Sequence, residues 1–181
     1  MNRAVFFDRD DTLIRNVPYL KNDELIEIPQ GLEVYLSRLK QVGFLLFIIS
    51  NQSGVARGLL TPEDVEKVNK KLLEKLGGTF FEKIYLSYEG PSQELNWDRK
   101  PQPTMIWKAA TEYDVDFEKS FFVGDRLADI LCGRNGGCRT IFIDQGKKDL
   151  ESYISRRLST FIVNSVFEAI EKILSTLTLK E

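Results

Sequence analysis

An α/β domain built on a parallel β-sheet is the fold this sequence predicts, and three observations predict it. Short β-branched and aromatic runs alternate with longer stretches of helical period, the pattern of successive βα units. Polar residues sit directly after the apolar runs, where an open parallel sheet gathers its ligands at the carboxyl ends of strands. The length, 181 residues, suits one domain, residues 1–181, large enough to bury a substantial core.

Taken in order, the first strand covers Ala4–Phe7 and runs straight into Asp8, Arg9, Asp10 and Asp11. Leu32, Leu36, Leu39 and Val42 then recur at helical spacing. The second strand, Leu45–Ile49, ends in Ser50-Asn51. A helix opens with Thr61 as N-cap, Pro62 at the first helical position and Asp64 three residues after the cap, and runs to Leu76 before Gly77-Gly78. Lys83–Leu86 is the third strand. From Tyr88 to Pro103 the chain is polar, interrupted by Pro91, Pro101 and Pro103, and without period, so it is a loop. A helix over Thr104–Tyr113, a strand over Ser120–Val123 ending in Gly124-Asp125, and a short helix around Leu127–Cys132 follow. Strands Thr140–Ile143 and Phe161–Val163 and a helix from Ser165 to Leu174 complete the expectation.

Composition narrows the chemistry. With 25 Lys and Arg against 27 Asp and Glu, net −2, there is no basic track for nucleic acid and no polybasic membrane arm. No apolar run approaches the ~18 residues of a membrane span, and Met1 to Val5 lead directly into a strand, so a cytoplasmic monomer acting on a small molecule is expected. The absence of histidine removes Ser-His-Asp and Cys-His nucleophile systems, imidazole bases and His-ligated metals together. Cys132 and Cys138 lie in a Gly-rich stretch and are expected to be free thiols, which argues against zinc. Trp97 and Trp107 are expected to be packing residues.

Catalysis must then run on carboxylates, Lys, Arg, hydroxyls and backbone. Asp8 and Asp10, two apart at a strand end, project from one side of the backbone, and two acids so placed require either a cation or a division into acid and base. Taken alone they could be a solvated turn. Ser50-Asn51 and Gly124-Asp125 fall at other strand ends, so all should meet in one crevice with Arg99 and Lys100. These are the parts for phosphoryl transfer: a carboxylate nucleophile that would form an aspartyl-phosphate, a neighbouring acid, and cations with donors for the phosphoryl oxygens. An all-oxygen site of this kind suits Mg²⁺.

These residues resemble the motifs of the haloacid-dehalogenase (HAD) superfamily of phosphatases. Asp8-Arg9-Asp10-Asp11-Thr12 resembles the first motif, Ser50 the second, Lys100 the third, and Gly124-Asp125 with Asp129 the fourth. Ser50 to Gly58 and Arg99-Lys100-Pro101 are similar to the branch that holds the D-glycero-D-manno-heptose 1,7-bisphosphate 7-phosphatases and histidinol-phosphate phosphatases, and the likeness runs from about Arg3 to Ile173. It implies a three-layer Rossmann-like fold with helices on both faces of the sheet and no large cap domain. It further implies Asp8 as nucleophile, Asp10 as general acid/base, and Ser50 and Lys100 as holders of the phosphoryl group. Mg²⁺ would be held by the carboxylates of Asp8 and Asp125 and the backbone carbonyl of Asp10. Asn51, Gln52, Ser53, Arg57, Arg99 and Arg126 would contact substrate, and Asp129 would position Lys100 or complete the acidic site. The implied activity is hydrolysis of a small phosphorylated metabolite, foremost removal of the 7-phosphate from the heptose bisphosphate. A histidinol-phosphate phosphatase, a polynucleotide 3'-phosphatase, a phospho-accepting receiver and a non-enzymatic phosphate-binding relative are the alternatives.

Two positions depart from the family pattern. Asp11 stands where Gly is usual, and its tolerance of left-handed backbone predicts that it turns outward. Ser87, Glu89, Asn96 and Asp98 occupy positions where many relatives carry the Cys and His of a zinc loop, so the loop before Arg99 must be held by other means and no zinc is expected.

Overall fold

A computed structural model describes residues 1–91 and 97–178. Six strands, β1 (Arg3–Phe7), β2 (Phe44–Asn51), β3 (Phe81–Ser87), β4 (Phe121–Gly124), β5 (Arg139–Ile143) and β6 (Phe161–Val163), form one parallel sheet in the order β3-β2-β1-β4-β5-β6. Helices α1 (Leu32–Gln41), α2 (Pro62–Leu76), α3 (Thr104–Tyr113), α4 (Leu127–Asn135), α5 (Leu150–Leu158) and α6 (Val166–Thr178) connect or follow them.

The alternation of side chains along β1 divides the core in two. Val5 and Phe7 point to one face, where Leu32, Leu36 and Leu39 of α1, Val68 and Leu72 of α2 and Ile170 and Ile173 of α6 cover them. Ala4 and Phe6 point to the other, beneath Met105, Ile106 and Ala109 of α3 and Cys132 of α4. Both faces of the central strands are therefore dry, which is why they read as continuous apolar runs. Cys132 and Cys138 are free thiols inside the second cluster, and burial pushes both well above the ordinary thiol range.

The chain winds outward from β1 through β2 to β3, then returns to add β4, β5 and β6 on the opposite side of β1. The strand order thus reverses between β1 and β4, where carboxyl-end crevices form. Phe7 is level with Ile48 on one side and Val123 on the other, so Asp8, Ser50 and Asp125 all emerge at the same rim. Among the described residues the segments after β1 and β3 add only a 3₁₀ turn, Asp23–Leu25, and an isolated bridge between Asp10 and Ile14, with no second sheet.

The α2 cap forms as its sequence dictates: Thr61 Oγ1 accepts from the Asp64 amide at 3.2 Å, and Asp64 Oδ2 accepts from the Thr61 amide at 2.9 Å. Helix α5 has no counterpart in the sequence reading. Its inward residues are Ser152 and Ser155, while Leu150 and Tyr153 are exposed, so no apolar stripe marks it. Asp149 caps it by accepting from the Ser152 amide at 2.7 Å, and Arg156 ties it to Asp144 beyond β5 with Nε 2.6 Å from Oδ2. Trp97 and Trp107 depart from the packing role expected of them: they are 61% and 45% exposed.

Candidate active site

The strand ends converge on a cleft of about 510 Å³ lined by Asp8 and Asp10 beyond β1, Asn51 of β2, Asp129 of α4 and residues of the intervening loops. Asp8 continues β1 by donating its amide to the Val123 carbonyl at 2.9 Å, and its side chain is buried. Lys100, also buried, reaches it from the β3–α3 loop: Nζ lies 2.5 Å from Asp8 Oδ1, 2.6 Å from Asp129 Oδ1 and 2.9 Å from the Ile49 carbonyl. All three ammonium donors have acceptors, so the cation is fixed in place. Gly124 permits the approach of Asp129, since a Cβ there would meet that side chain at 2.4 Å. Asp129 also accepts from the Arg126 amide at 3.0 Å, so it both caps α4 and holds Lys100.

Asp125 completes the acidic floor. Carboxylate oxygens of Asp8, Asp125 and Asp129 lie within 4.8 Å of one another, the one group among the described residues suited to a metal. Burial pushes Asp8 up to about 7, against the pull of Lys100 and reinforced by Asp129 and Asp10. Burial likewise pushes Asp125 up to about 8, with Asp8 and Asp129 adding to it. Burial alone would lower Lys100, but Asp129 and Asp8 outweigh it and hold the ammonium above its ordinary range. Asp125 Oδ1 is buried without a hydrogen-bond partner among the described residues. A buried, unpartnered carboxylate oxygen beside two further acids is what a hard divalent cation fits, and the all-oxygen donor set matches Mg²⁺.

Asp10 stands apart from that cluster. Its carboxylate is turned to the Arg9 guanidinium, Nε 3.2 Å and NH2 3.1 Å from Oδ2, and Gln52 Nε2 donates to the same oxygen at 2.9 Å. Gln52 Nε2 also donates to Ser50 Oγ at 2.9 Å, which links the hydroxyl at the end of β2 to the acid beyond β1. Gln52 and Asn51, expected as substrate contacts, thus have structural work within the protein. Asn51 clamps the Lys100 backbone, accepting its amide at 3.0 Å and donating to its carbonyl at 3.1 Å. Arg9, which grips Asp10, is a residue that sequence reasoning passed over, lying unassigned inside the Asp8–Asp10 motif.

Arg57, Ser53 and Arg99 line the cleft on the side formed by the β2–α2 and β3–α3 loops. Arg57 NH1 donates to Tyr19 Oη at 3.0 Å and Arg99 NH1 to the Glu89 carbonyl at 2.8 Å, and neither makes an ion pair among the described residues. Burial and the nearby Arg57 charge lower Arg99. Arg126 differs: although burial opposes its charge, Asp125, Asp8, Asp129 and Glu151 outweigh that, so it faces acids and is not a surplus cation. Asp11 has φ 59° and its Oδ1 accepts from the Asn16 amide at 3.2 Å, outside the cleft lining, as its backbone tolerance predicts.

Polar contacts hold the β3–α3 loop. Asp98 pairs with Lys108 at 2.8 Å and Thr104 Oγ1 donates to the Trp97 carbonyl at 2.5 Å, alongside the Asn51 clamp and the Arg99–Glu89 bond. Ser87 is buried at the end of β3, and Asn96 lies outside the described residues.

Comparison with known proteins fits this geometry. A HAD-hydrolase-like family model matches residues 97–169. The chain is 34% identical over 161 residues to the D-glycero-D-manno-heptose-1,7-bisphosphate 7-phosphatase of Chlorobaculum tepidum, covering 81% of both chains. The chain belongs to the HAD phosphatase family. A second family member, the D-glycero-beta-D-manno-heptose-1,7-bisphosphate 7-phosphatase of Helicobacter pylori, is 35% identical over 137 residues, 74% of this chain and 79% of that one. The crystal structure of the D,D-heptose 1,7-bisphosphate phosphatase from B. bronchiseptica, complexed with magnesium and phosphate, superposes with a TM-score of 0.83 at 25% identity, covering 96% of this chain and 99% of that one. As a HAD phosphatase, the protein is a phosphoric monoester hydrolase, which sets aside the receiver and non-enzymatic readings. Among the described residues no helix is long and apolar enough to cross a membrane.

Proposed function

We propose that this phosphatase removes the 7-phosphate of D-glycero-D-manno-heptose 1,7-bisphosphate in a Mg²⁺-dependent reaction through an aspartyl-phosphate on Asp8. The observation that carries the substrate reading is a difference in pairing: Lys100 is held among the acids, while Arg57 and Arg99, which also line the cleft, make no ion pair among the described residues. Guanidinium groups suit bidentate phosphate recognition, and a substrate with a second phosphate matches a second set of cations. The names of the relatives support the same substrate.

In this mechanism an Asp8 carboxylate oxygen attacks phosphorus while Asp10 protonates the departing sugar oxygen, and Asp10 then takes a proton from the water that hydrolyses the acyl phosphate. Ser50 orients a phosphoryl oxygen, and the Lys100 charge, held beside Asp8 by its three bonds, attracts the phosphoryl group. Asp8 and Asp125, with the Asp10 carbonyl, would hold Mg²⁺, which would offset the negative charge that otherwise keeps phosphate from the carboxylate floor. We infer one domain over residues 1–181, acting as a cytoplasmic monomer on a small metabolite.

Phosphate release from a panel of both heptose bisphosphate anomers, histidinol phosphate and nucleotides, with Mg²⁺ present, tests the reading. The expected result is preference for a heptose bisphosphate; preference for histidinol phosphate would replace that substrate while keeping the chemistry.

A further inference from the structure

The buried face of α2 carries Val65, Val68, Leu72 and Leu76, and among them one amide, Asn69, only 6% exposed. Its Oδ1 accepts from Arg9 NH1 at 2.8 Å. A buried polar side chain inside an apolar stripe needs a partner, and here that partner is the guanidinium that grips Asp10. Arg9 is itself 3% exposed, and Asp10 is its ion-pair partner.

We propose that Asn69 is a positioning residue for the proton-transferring carboxylate, holding Asp10 in place through Arg9. The inference rests on the acid/base role proposed above for Asp10. The hydrogen bonds divide the two carboxylate oxygens: Oδ2 accepts from Arg9 Nε, Arg9 NH2 and Gln52 Nε2, whereas among the described residues Oδ1 accepts only from Arg9 NH2, at 3.2 Å. Oδ2 is saturated, and Oδ1 is the oxygen left open to give a proton to the leaving group or take one from water. That distinction requires the guanidinium plane to stay fixed. Nε and NH2 are engaged by the acid they are meant to orient, so the anchor must come from NH1, and Asn69 supplies it from a helix. Helix α2 is well secured for this purpose. It is capped by Thr61 and tied to the segment before α1 by the Lys75 bond to the Ile26 carbonyl, 3.0 Å, and the Lys67–Asp23 ion pair, 3.2 Å.

The test uses the leaving group. An alkyl phosphate needs a proton on its departing oxygen, whereas p-nitrophenolate leaves without one, and kcat/KM reports only steps up to release of the alcohol. Asn69→Leu should lower kcat/KM for the sugar bisphosphate by about tenfold and for p-nitrophenyl phosphate by no more than about twofold. Asn69→Asp, which restores an acceptor for Arg9, should recover most of the loss. Equal losses on both substrates, or no loss on either, would overturn the proposal. Should Asn69→Leu fail to fold, Arg9→Lys, which keeps the charge but cannot bridge Asp10 and Asn69, must give the same discrimination, and equal losses there overturn it too. Asp10→Asn, run beside them, separates the two readings. If it does not discriminate between the substrates, the acid role of Asp10 falls; if it does and Asn69→Leu does not, only the role of Asn69 falls.

Discussion

The floor and the rim of the cleft are built on opposite principles. On the floor, Asp8 at a strand end, Asp129 in the first turn of α4 and Lys100 from the β3–α3 loop are all buried, and each ammonium donor has its acceptor. At the rim, Arg57 and Arg99 sit on loops and, among the described residues, are held by single bonds to a tyrosine hydroxyl and a carbonyl. The floor is preorganised for one reaction, as electrostatic catalysis demands. The rim keeps its donors available to whatever substrate enters, and so is where substrate choice can vary without disturbing the chemistry.

Substitutions that break the floor should have the largest effect. Asp8→Asn is expected to leave less than about a hundredth of wild-type phosphate release while circular dichroism remains native, because the amide is neither nucleophile nor good magnesium ligand. Greater residual activity would remove Asp8 from the nucleophilic role. Asp10→Asn should lower kcat for the sugar bisphosphate by about 10²-fold or more through lost proton transfer. An unchanged kcat would show that protons move by another route.

Acidity gives a smaller, graded test of the same floor. Asp8 and Asp125 lie near 7 and 8, above the ordinary carboxylate range, so the folded metal-free protein holds protons that the unfolded chain has already released. Their contribution to stability is complete below the ordinary carboxylate range and is lost as pH rises toward 8. Bound Mg²⁺ favours the ionised forms and reverses that loss. The rise in Tm on adding Mg²⁺ should therefore grow between about pH 5.5 and about pH 8.5. An increment independent of pH would mean that these two carboxylates do not share the metal.

The floor was legible in the sequence because its acids follow apolar strands directly: once Ala4–Phe7 is a central parallel strand, Asp8 must emerge at the crevice, and Ser50 and Gly124-Asp125 follow by the same rule. What could not be read were partnerships between distant residues. Nothing near Arg9 announces Asn69, which meets it only because α2 packs in the same core cluster as Val5 and Phe7, and nothing near Asn51 announces that it clamps the Lys100 backbone. The buried Asn within an apolar helical stripe was the one available signal. Arg126 faces Asp8 and Glu151 as well as its chain neighbours Asp125 and Asp129, and the first two are brought near only by folding. Helix α5 escaped because it buries serines, although Asp149 three residues before Ser152 marked its cap.

The division between floor and rim is tested most directly by Arg99→Ala, assayed on the heptose bisphosphate and on a sugar monophosphate that lacks the second phosphate. The account predicts that KM for the bisphosphate rises about tenfold, with kcat and the kinetics on the monophosphate little changed, since a remote phosphate loses its guanidinium while the reacting one keeps its site. Equal losses on both substrates would place Arg99 in the common phosphoryl site or in the frame of its loop, and the rim would no longer be where the substrate is chosen.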